Sequence, residues 1–359
     1  MATSNSLRPY LEYQADRVEA TLAAHHAPGR IVGGTAGPRL IRFVLDLAPH
    51  VRFSAIRNLS EDLALALRVT NLSIEHGQEG VVLQFSNPNT RAVKLIDLLD
   101  EVLPVPIATA LLGLTDTGMP LLARLASADV AHALVSGTTG SGKSVLLRTM
   151  AASLVLTQSP DTVRLVLIDP KGRTFEALRG APHLARPPVA SLSEAHEALR
   201  SAVRAMERRD ARGERPGKPG VPHVVFFIDE LADLVMQGGA EVSEALTRLV
   251  QRGREAGIHL VAATQRPSAA IMSNVMRANF PLRLVGRVVT AEDARAASGR
   301  AGTNAHLLNG RGDFLAISGG ERTLRFQVAQ IGEDELREHM ALTGVTTPIL
   351  ALPVVEGVH

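Results

Sequence analysis

The sequence predicts an α/β fold built on a mostly parallel sheet, preceded by a small α+β domain. Between residues 107 and 331, short apolar runs typical of buried strands alternate with helical stretches, which favours parallel strands covered by helices. The clearest strand runs are 163–168, 223–228, 258–263 and 282–289. Between residues 30 and 105 the apolar runs are shorter and alternate with polar residues, which indicates a small α+β domain.

The elements of the first hundred residues follow from local patterns. Pro9 suits the first turn of a helix, and apolar residues then recur at helical spacing, which predicts an amphipathic amino-terminal helix. Strands are predicted at 40–47 and 81–85, with a helix over 60–68 between them. The two prolines of residues 103–106 interrupt any regular element and mark a boundary.

Composition excludes several classes of protein. The chain has 359 residues, of which 45% are apolar, and can form two domains with substantial cores. Because it contains no Cys, it forms no disulfide, thiolate zinc site or cysteine nucleophile. No apolar run approaches the ~18 residues that span a bilayer, and no signal pattern precedes the first helix. We therefore expect a cytoplasmic protein that does not insert into a membrane.

Charge and aromatic content bear on nucleic-acid binding. The net charge is only +2, so any DNA-binding surface must be local. Aromatic residues make up 3% of the chain and Trp is absent, which argues against stacking of single-stranded bases on aromatic side chains. This composition favours contacts from basic side chains to backbone phosphates.

The most specific motif is a phosphate-binding loop of the form G-x-x-x-x-G-K-S. Its residues are Gly137, Thr138, Thr139, Gly140, Ser141, Gly142, Lys143 and Ser144. Glycines let the backbone curl so that N–H groups face a phosphate, and the following helix directs its positive end there. We expect Lys143 to reach the β- and γ-phosphates and Ser144 to bind Mg²⁺. A glycine turn that merely connects strand and helix is the alternative, but an apolar strand run and an apolar helix start flank the motif.

A pair of carboxylates follows the strand run at 223–228. In a nucleotide site, Asp229 would bind Mg²⁺ through water, and Glu230 would orient and deprotonate the attacking water. The alternative is an acidic pair at the start of a helix, where carboxylates are favoured. The phosphate loop favours the catalytic interpretation, because bound Mg-ATP needs such acids.

Polar residues at the ends of other strand runs are further candidates. Gln265 could bond the γ-phosphate or the lytic water as a sensor, or be a simple polar residue before a proline turn. Asp169 and Lys171 could lie at the nucleotide rim, or form a structural ion pair or turn. Several arginines occur between residues 248 and 254. They could neutralise a phosphoryl group bound by a neighbouring subunit or serve solubility, and the residues alone do not select one of them.

Taken in chain order, these motifs resemble the motor region of the FtsK/SpoIIIE family of DNA translocases. The matching stretches are 112–113, 118–120, 137–144, 168–171, 229–234, 256–260 and 263–268, with 42–43, 47–49 and 56–64 upstream. Together they are far more specific than the phosphate loop alone. The resemblance implies a RecA-like P-loop NTPase core, and the upstream stretches resemble the smaller α domain of the family.

The resemblance also implies a ring, usually a hexamer, which binds ATP and Mg²⁺ between subunits and holds double-stranded DNA in its channel. Arg254 corresponds to the trans-acting arginine of the family, and Arg295 lies on a segment that resembles a DNA-contacting pore loop. Where relatives often carry a lysine, this chain has Ala291. A second pore loop is expected around residues 307–314, where Arg311 is an added basic residue.

The sequence departs from the family pattern in three respects. It shows no amino-terminal membrane helices, no long Pro/Gln linker, and too little chain after residue 331 for the winged-helix domain that reads orienting DNA sequences. We therefore expect a freestanding motor with an unidentified anchoring partner. It would be a naturally short protein of a mobile element, plasmid or virus, or a trimmed chain.

The predicted activity is ATP-dependent translocation of double-stranded DNA by a ring-forming motor in segregation, conjugative transfer or genome packaging. A protein-secretion motor is one alternative, against which the lack of multiple ATPase modules argues. A nucleotide-gated scaffold with little hydrolysis is another, against which the intact Glu230 argues. The expected parts are an amino-terminal helix over 1–28, the small α+β domain over 29–105, the ATPase domain over 106–332, and a carboxyl-terminal helix and tail over 333–359.

Overall fold

The chain forms two compact units. The computed structural model describes residues 4–70, 72–77, 80–218, 220–265, 272–319 and 323–342. The smaller unit comprises the chain up to Ala92 together with Leu114–Met119, and the larger unit comprises Val93–Gly113 and the chain from Pro120 onward. The four-part division expected from the sequence stays a proposal. The predicted tail beyond residue 342 lies outside the described residues.

The smaller unit is an antiparallel sheet with helices. Its elements are α1 Ser4–Ala24, β1 Gly29–Ala36, β2 Leu40–Leu47, α2 Phe53–Asn58, α3 Ser60–Leu67, β3 Leu72–Gly77 and β4 Gly80–Ser86. The strand order is β1-β2-β4-β3, and all three strand pairs are antiparallel. Alternate residues of β2 and β4 belong to the core of this unit, because every second residue of a strand points to the same face of the sheet.

Buried apolar side chains of α1, α3 and the sheet form the core of the smaller unit. Phe43 on β2 and Phe85 on β4 meet edge to face, with ring centroids 5.4 Å apart. The helix α1 begins at Ser4, so Pro9 lies inside it rather than in the first turn that the sequence suggested. A proline there removes one intrahelical hydrogen bond. Val18 and Leu22 of the same helix are fully buried in the core of the unit.

The larger unit contains the phosphate loop. Its elements are α4 Leu95–Val102, β5 Thr109–Thr115, β6 Pro120–Arg124, β7 Ala133–Ser136, α5 Lys143–Thr157, β8 Val163–Ile168, α6 Leu192–Ala211, β9 His223–Ile228, α7 Leu231–Arg252, β10 Ile258–Thr264, α8 Asn274–Ala278, β11 Leu282–Gly286, α9 Ala291–Ser298, β12 Asp313–Ile317, β13 Thr323–Val328 and α10 Glu333–Leu342.

A nine-stranded sheet with the order β6-β5-β13-β12-β11-β7-β10-β9-β8 forms the centre of the larger unit. The strands β11, β7, β10, β9 and β8 pair in parallel, whereas β12 and β13 pair antiparallel beside β11. Every residue of β9 and β10 is buried, as expected of parallel strands covered on both faces. The predicted α/β fold with a mostly parallel sheet is thus confirmed.

The topology gathers the functional loops at one edge of the sheet. Parallel strands all present their carboxyl ends at the same edge, which is where ligands bind in sheets of this kind. The phosphate loop leaves β7 there, and Asp229 and Gln265 follow the ends of β9 and β10. The predicted strand at 282–289 is shorter in the structure, because β11 ends at Gly286. Among the described residues, no helix combines the length and apolar character that crossing a bilayer requires.

Three buried histidines lie at the opposite edge, where β7, β9 and β10 begin. Nδ1 of His223 lies 2.9 Å from Nε2 of His259, and the two rings stack with centroids 5.1 Å apart. Nδ1 of His259 lies 3.0 Å from the carbonyl oxygen of Ala131, and the backbone N–H of Leu260 donates to Nδ1 of His132 at 3.1 Å. These hydrogen bonds suit neutral imidazoles, since the acceptor nitrogen of His132 carries no proton.

We predict that this cluster makes folding sensitive to acid. Burial lowers the pKa of His132 and His223 to about 4 and that of His259 to about 3. The unfolded chain takes up these protons near pH 6.5. The stabilisation is therefore present above about pH 6.5 and is lost as the pH falls toward 4, at up to about 1.4 kcal/mol per pH unit for each histidine.

Denaturant titrations between about pH 7.5 and pH 4.5 measure this dependence as the free energy of unfolding. The variant His259→Gln has one titrating group fewer and controls for the carboxylates, which titrate in the same range. Its free energy of unfolding is expected to fall less steeply with acid. Equal slopes for the variant and the unchanged chain would contradict the prediction.

Candidate nucleotide-binding site

The phosphate loop connects β7 to α5, and two of its glycines have backbone conformations that other residues rarely adopt. Gly140 and Gly142 have φ angles of 79° and 108°, in the left-handed region that favours glycine. A Cβ on Gly142 would lie 2.7 Å from the backbone nitrogen of Gly312, so a side chain there would collide with a neighbouring segment. Gly140 is thus favoured by its backbone conformation, and Gly142 is required by both conformation and space.

Two other segments of the larger unit hold the loop by hydrogen bonds. The backbone N–H of Thr138 donates to the carbonyl of Arg287 at 2.8 Å. On the other side, the N–H groups of Arg311 and Gly312 donate to the carbonyls of Gly140 at 3.0 Å and Ser141 at 2.7 Å. The loop is therefore held near its start by chain that follows β11 and in its middle by chain that precedes β12.

Lys143 is the buried cation of the site. Its Nζ donates to the carbonyls of Gly137 at 2.7 Å and Thr138 at 3.0 Å, and the residue is 8% exposed. Burial lowers the pKa of Lys143, and the carboxylates of Glu230 and Asp229 oppose that effect. An ammonium group held across the loop in this way is positioned to neutralise phosphate oxygens.

Asp229 lies where the sequence predicted a Mg²⁺ ligand. Its Oδ1 accepts hydrogen bonds from the hydroxyls of Ser144 at 3.2 Å and Thr174 at 3.1 Å. Burial raises the pKa of Asp229, with a further contribution from the nearby Asp169. Because a cation favours the ionised carboxylate, this environment suits a metal bound beside Asp229.

The donor set fits Mg²⁺ rather than a metal held by protein alone. Ser144 offers a hard hydroxyl oxygen and Asp229 a carboxylate that can hold Mg²⁺ through water, and Mg²⁺ is commonly bound by one or two protein oxygens together with phosphates and waters. Among the described residues, no group of three or more His, Cys, Asp or Glu could hold a metal ion. Ser144 and Asp229 are therefore the residues that would hold Mg²⁺ with a triphosphate.

Glu230 and Gln265 lie together at the ends of β9 and β10. Glu230 is 7% exposed, and its Oε1 accepts the backbone N–H of Gln265 at 3.2 Å. The side-chain oxygen of Gln265 accepts the hydroxyl of Thr139 at 3.3 Å. The structure thus brings the predicted base, the predicted sensor and the phosphate loop into one hydrogen-bonded group. Their catalytic roles stay predictions.

These groups surround a pocket of about 620 Å³. Its lining residues are Thr138, Thr139, Gly140, Gly142, Lys143, Ser144, Val145, Lys171, Arg173, Thr174, Asp229, Glu230, Gln265, Arg311, Gly312, Gln327, Val328 and Gln330. Of the two candidates at the rim, Lys171 lines the pocket, whereas Asp169 is buried and accepts backbone N–H groups of the turn that follows it.

Sequence reasoning missed several residues of the pocket. Arg173 and Thr174 follow a stretch that it singled out, but nothing in their spacing distinguishes them. Gln327 and Gln330 come from the end of β13 and the chain after it, far along the sequence from the loop. Their proximity arises from the sheet order and leaves no local signal.

Arg254 lies away from the pocket of its own chain. It is exposed in the turn between α7 and β10, at the edge of the sheet where β10 begins. Arg252 pairs with Asp210 at 2.8 Å, and Arg248 pairs with Glu207. Across the described ranges, Arg254 has no such ion pair. Of these arginines, Arg254 is the one whose side chain is available to a neighbouring molecule.

The two predicted DNA-binding residues have different surroundings. Arg295 is exposed on α9, which a capping box between Thr290 and Asp293 begins. Arg311 is exposed but lines the nucleotide pocket, and its backbone contacts the phosphate loop. Neither DNA contact is tested by these positions. Residues 266–268 of the family-like motif lie outside the described residues.

Replacement of Lys143 by Ala is expected to weaken nucleotide binding by about 10- to 100-fold, because charge-assisted hydrogen bonds to phosphate are lost. Calorimetric titration with ADP measures this change in dissociation constant. Lys218→Ala is the matched control, since Lys218 is exposed in the loop before β9 at the opposite edge of the sheet. Equal ADP affinities for the two variants would show that Lys143 does not contact the phosphates.

The fold and the loop define a P-loop NTPase domain, and comparisons with known proteins specify the family. The FtsK/SpoIIIE family matches residues 104–215 and 212–269, and the FtsK alpha domain matches residues 2–89. The chain belongs to the FtsK/SpoIIIE family, as the resemblance of its motifs predicted.

Curated relatives share about a third of the residues. The DNA translocase FtsK of Brucella suis biovar 1 (strain 1330) is 32% identical over 93% of this chain and 45% of the relative. The DNA translocase FtsK of Vibrio vulnificus (strain CMCP6) is 35% identical over 91% of this chain and 37% of the relative. The chain thus spans less than half the length of these two relatives.

Solved structures show the same fold. The conjugation coupling protein TcpA of pCW3, a monomer form with ATPγS, superposes with a TM-score of 0.62 and 18% identity, covering 92% of this chain and 99% of the other. The cytoplasmic domain of the Type VII secretion ATPase EccC of Thermomonospora curvata gives 0.61 and 24%, covering 74% and 36%. At these identities the similarity shows the fold alone.

Proposed function

We propose that this chain is the motor of an ATP-driven, ring-forming translocase of double-stranded DNA. The observation that carries the proposal is the convergence of Lys143, Asp229, Glu230 and Gln265 on one pocket in a chain of the FtsK/SpoIIIE family. Relatives of this family are named DNA translocases. ATP and duplex DNA meet in the cytoplasm, where we place the motor together with an unidentified anchoring or recruiting partner.

Within one chain, the residues of the pocket divide the work of hydrolysis. Lys143 neutralises the phosphates. Ser144 and Asp229 would hold Mg²⁺, which would supply charge stabilisation at the phosphate oxygens. Glu230, fixed by the backbone N–H of Gln265, takes the proton of the attacking water. Gln265 also bonds the loop through Thr139, so its position depends on the phosphate end of the site.

The location of Arg254 supports an assembly in which subunits complete each other's sites. The pocket opens where the parallel strands end, whereas Arg254 lies where β10 begins. In a head-to-tail ring, the surface of one subunit that carries Arg254 can face the open nucleotide pocket of the next subunit. Arg254 would then stabilise charge on the neighbour's nucleotide. We propose a hexamer as the closed form of such a ring.

DNA contact in this proposal is local and directed to phosphates. The small net charge of +2 gives no general attraction to DNA. Arg295 is exposed on α9, close in sequence to the end of β11, and is the candidate for a contact in the ring channel. Such contacts carry no sequence information and weaken with salt.

The proposal predicts that linear duplex DNA stimulates ATP hydrolysis more than single-stranded DNA or no DNA. Steady-state ATPase rates with the three conditions test it, with Lys143→Ala as the inactive control. Release of a third strand annealed to the duplex then reports movement along it.

Equal stimulation by single strands would contradict a duplex motor. Hydrolysis without any stimulation would favour protein export, and negligible hydrolysis in all conditions would favour a nucleotide-gated scaffold.

A further inference from the structure

The turn at residues 310–312 has a strained backbone. Gly310, Arg311 and Gly312 have consecutive φ angles of 72°, 52° and 91°, all in the left-handed region. Glycine adopts this region freely, but an arginine there is unfavourable relative to glycine. Strain of this kind persists where surrounding structure imposes it, and it is concentrated at functional sites. A glycine at position 311 would fit this backbone better, so the presence of an arginine there indicates a role for its side chain.

Contacts on both sides fix this turn. Its N–H groups donate to the phosphate-loop carbonyls, as described above, and the side-chain amide of Gln327 donates to the carbonyl of Arg311 at 3.2 Å. Behind the turn, Asp313 is 4% exposed and accepts two hydrogen bonds from Arg325 at 2.9 and 2.7 Å. The N–H of Asn309 donates to the same carboxylate at 2.9 Å. A bidentate pair of this kind holds its partners in one geometry.

The sheet order decides which side of the nucleotide the turn approaches. The phosphate loop follows β7, and the catalytic carboxylate and sensor come from β9 and β10 on one side of it. Arg311 lies two residues before β12 begins, on the other side of β7. Since Asp229 and Glu230 are assigned to the γ-phosphate end, the strand order places Arg311, with Gln327 and Gln330, on the β12 and β13 side of the pocket rather than on the β9 and β10 side.

We propose that Arg311 binds the α- and β-phosphates of the nucleotide held in its own chain, rather than DNA. This inference rests on the proposed nucleotide-binding function and names a further residue of that site. A guanidinium suits bidentate contact with phosphate oxygens. Since ADP and ATP share the α- and β-phosphates, Arg311 contributes equally to the binding of both.

The test compares dissociation constants of the full chain for ADP and for ATPγS in the presence of Mg²⁺. Arg311→Gln is expected to weaken both by about 10- to 100-fold, and Arg311→Lys to restore part of the loss. Arg208→Gln, which removes the same charge from an exposed position on α6, controls for net charge. An unchanged affinity for both nucleotides, or a loss confined to ATPγS, would overturn the proposal.

A second variant separates binding from folding. Arg311→Gly removes the side chain and also relieves the strained φ angle. Its thermal midpoint without nucleotide is expected to equal or exceed that of the unchanged chain, while its nucleotide affinities fall as in Arg311→Gln. A lowered midpoint with unchanged affinities would assign Arg311 a structural role and overturn the proposal.

DNA binding and the Lys143 variant distinguish the remaining outcomes. With saturating ADP, Arg311→Gln is expected to bind a fluorescent linear duplex as tightly as the unchanged chain, and a selective loss of duplex affinity would overturn the proposal in favour of a DNA contact. If Lys143→Ala weakens ADP binding and Arg311→Gln does not, the inference fails and the proposed function stands. If neither weakens it because the unchanged chain binds no nucleotide, the proposed function fails as well.

Discussion

Replacement of Glu230 by Gln is expected to leave ATP bound while hydrolysis slows by about 100- to 10,000-fold, the range that a general base contributes. The substitution removes the proton acceptor but keeps an oxygen that can accept the N–H of Gln265, so the end of β9 retains its geometry. Because Lys143 is unchanged, the phosphates keep their cation, and because Ser144 and Asp229 are unchanged, the residues that would hold Mg²⁺ remain. A stalled, nucleotide-bound motor is the expected product.

Single-turnover hydrolysis of ATP, measured beside equilibrium binding of ATPγS, separates the two effects. Asp233→Asn is the matched control, because Asp233 is exposed in the first turn of α7 and does not line the pocket. The control is expected to hydrolyse ATP at the rate of the unchanged chain. If Glu230→Gln did so too, the water would be activated by another group and the assignment of the base would be wrong.

The second large effect is expected at Arg254. The Arg254→Ala variant alone is expected to lose about 1,000-fold in ATPase rate, as for arginines that complete a neighbouring phosphoryl site. Its own pocket stays intact, because Arg254 lies at the edge where β10 begins. ADP affinity should therefore remain close to that of the unchanged chain.

Mixing this variant with Lys143→Ala tests whether Arg254 acts between subunits. Each variant alone is inactive, but a mixed ring contains interfaces in which an intact pocket meets an intact Arg254. In an equimolar random ring about one interface in four has this composition, so partial recovery of ATPase is expected. Arg252→Ala, which removes a guanidinium already paired with Asp210, is the control for the arginine-rich turn. No recovery in mixed rings would count against action across the interface.

Much of the fold was predictable because local patterns determine it. The strands β8 and β9 have the predicted bounds, since apolar and mostly β-branched or aromatic residues dominate both short runs. The strands β1 and β3 of the smaller unit were not predicted. Several of their residues are only partly buried, so their apolar signal is weak. The antiparallel pairing of β12 with β13 depends on a hairpin whose partners the sequence does not specify by periodicity.

The residues of the candidate site likewise fall into those that local sequence patterns predict and those that only the tertiary structure brings to the pocket. The loop and the two acids could be predicted because motif spacing and strand ends place them together at one edge of the sheet. Thr174 and Gln327 could not, because each joins the pocket through tertiary contacts alone. Arg311 was predicted to contact DNA as an added basic residue of an expected pore loop, but it lines the nucleotide pocket, where we propose that it binds phosphates instead.

The hydrogen bonds that hold the phosphate loop also tie down both ends of one chain segment, residues 287–312. At the start of this segment, the carbonyl of Arg287 accepts a hydrogen bond from Thr138. At the end of the segment, the N–H groups of Arg311 and Gly312 donate to the phosphate loop. Between these anchors lies α9 with Arg295. We therefore expect a rearrangement of the loop that alters one anchor to displace an end of the segment that carries this helix. The two anchors therefore link the position of α9 to the conformation of the phosphate loop.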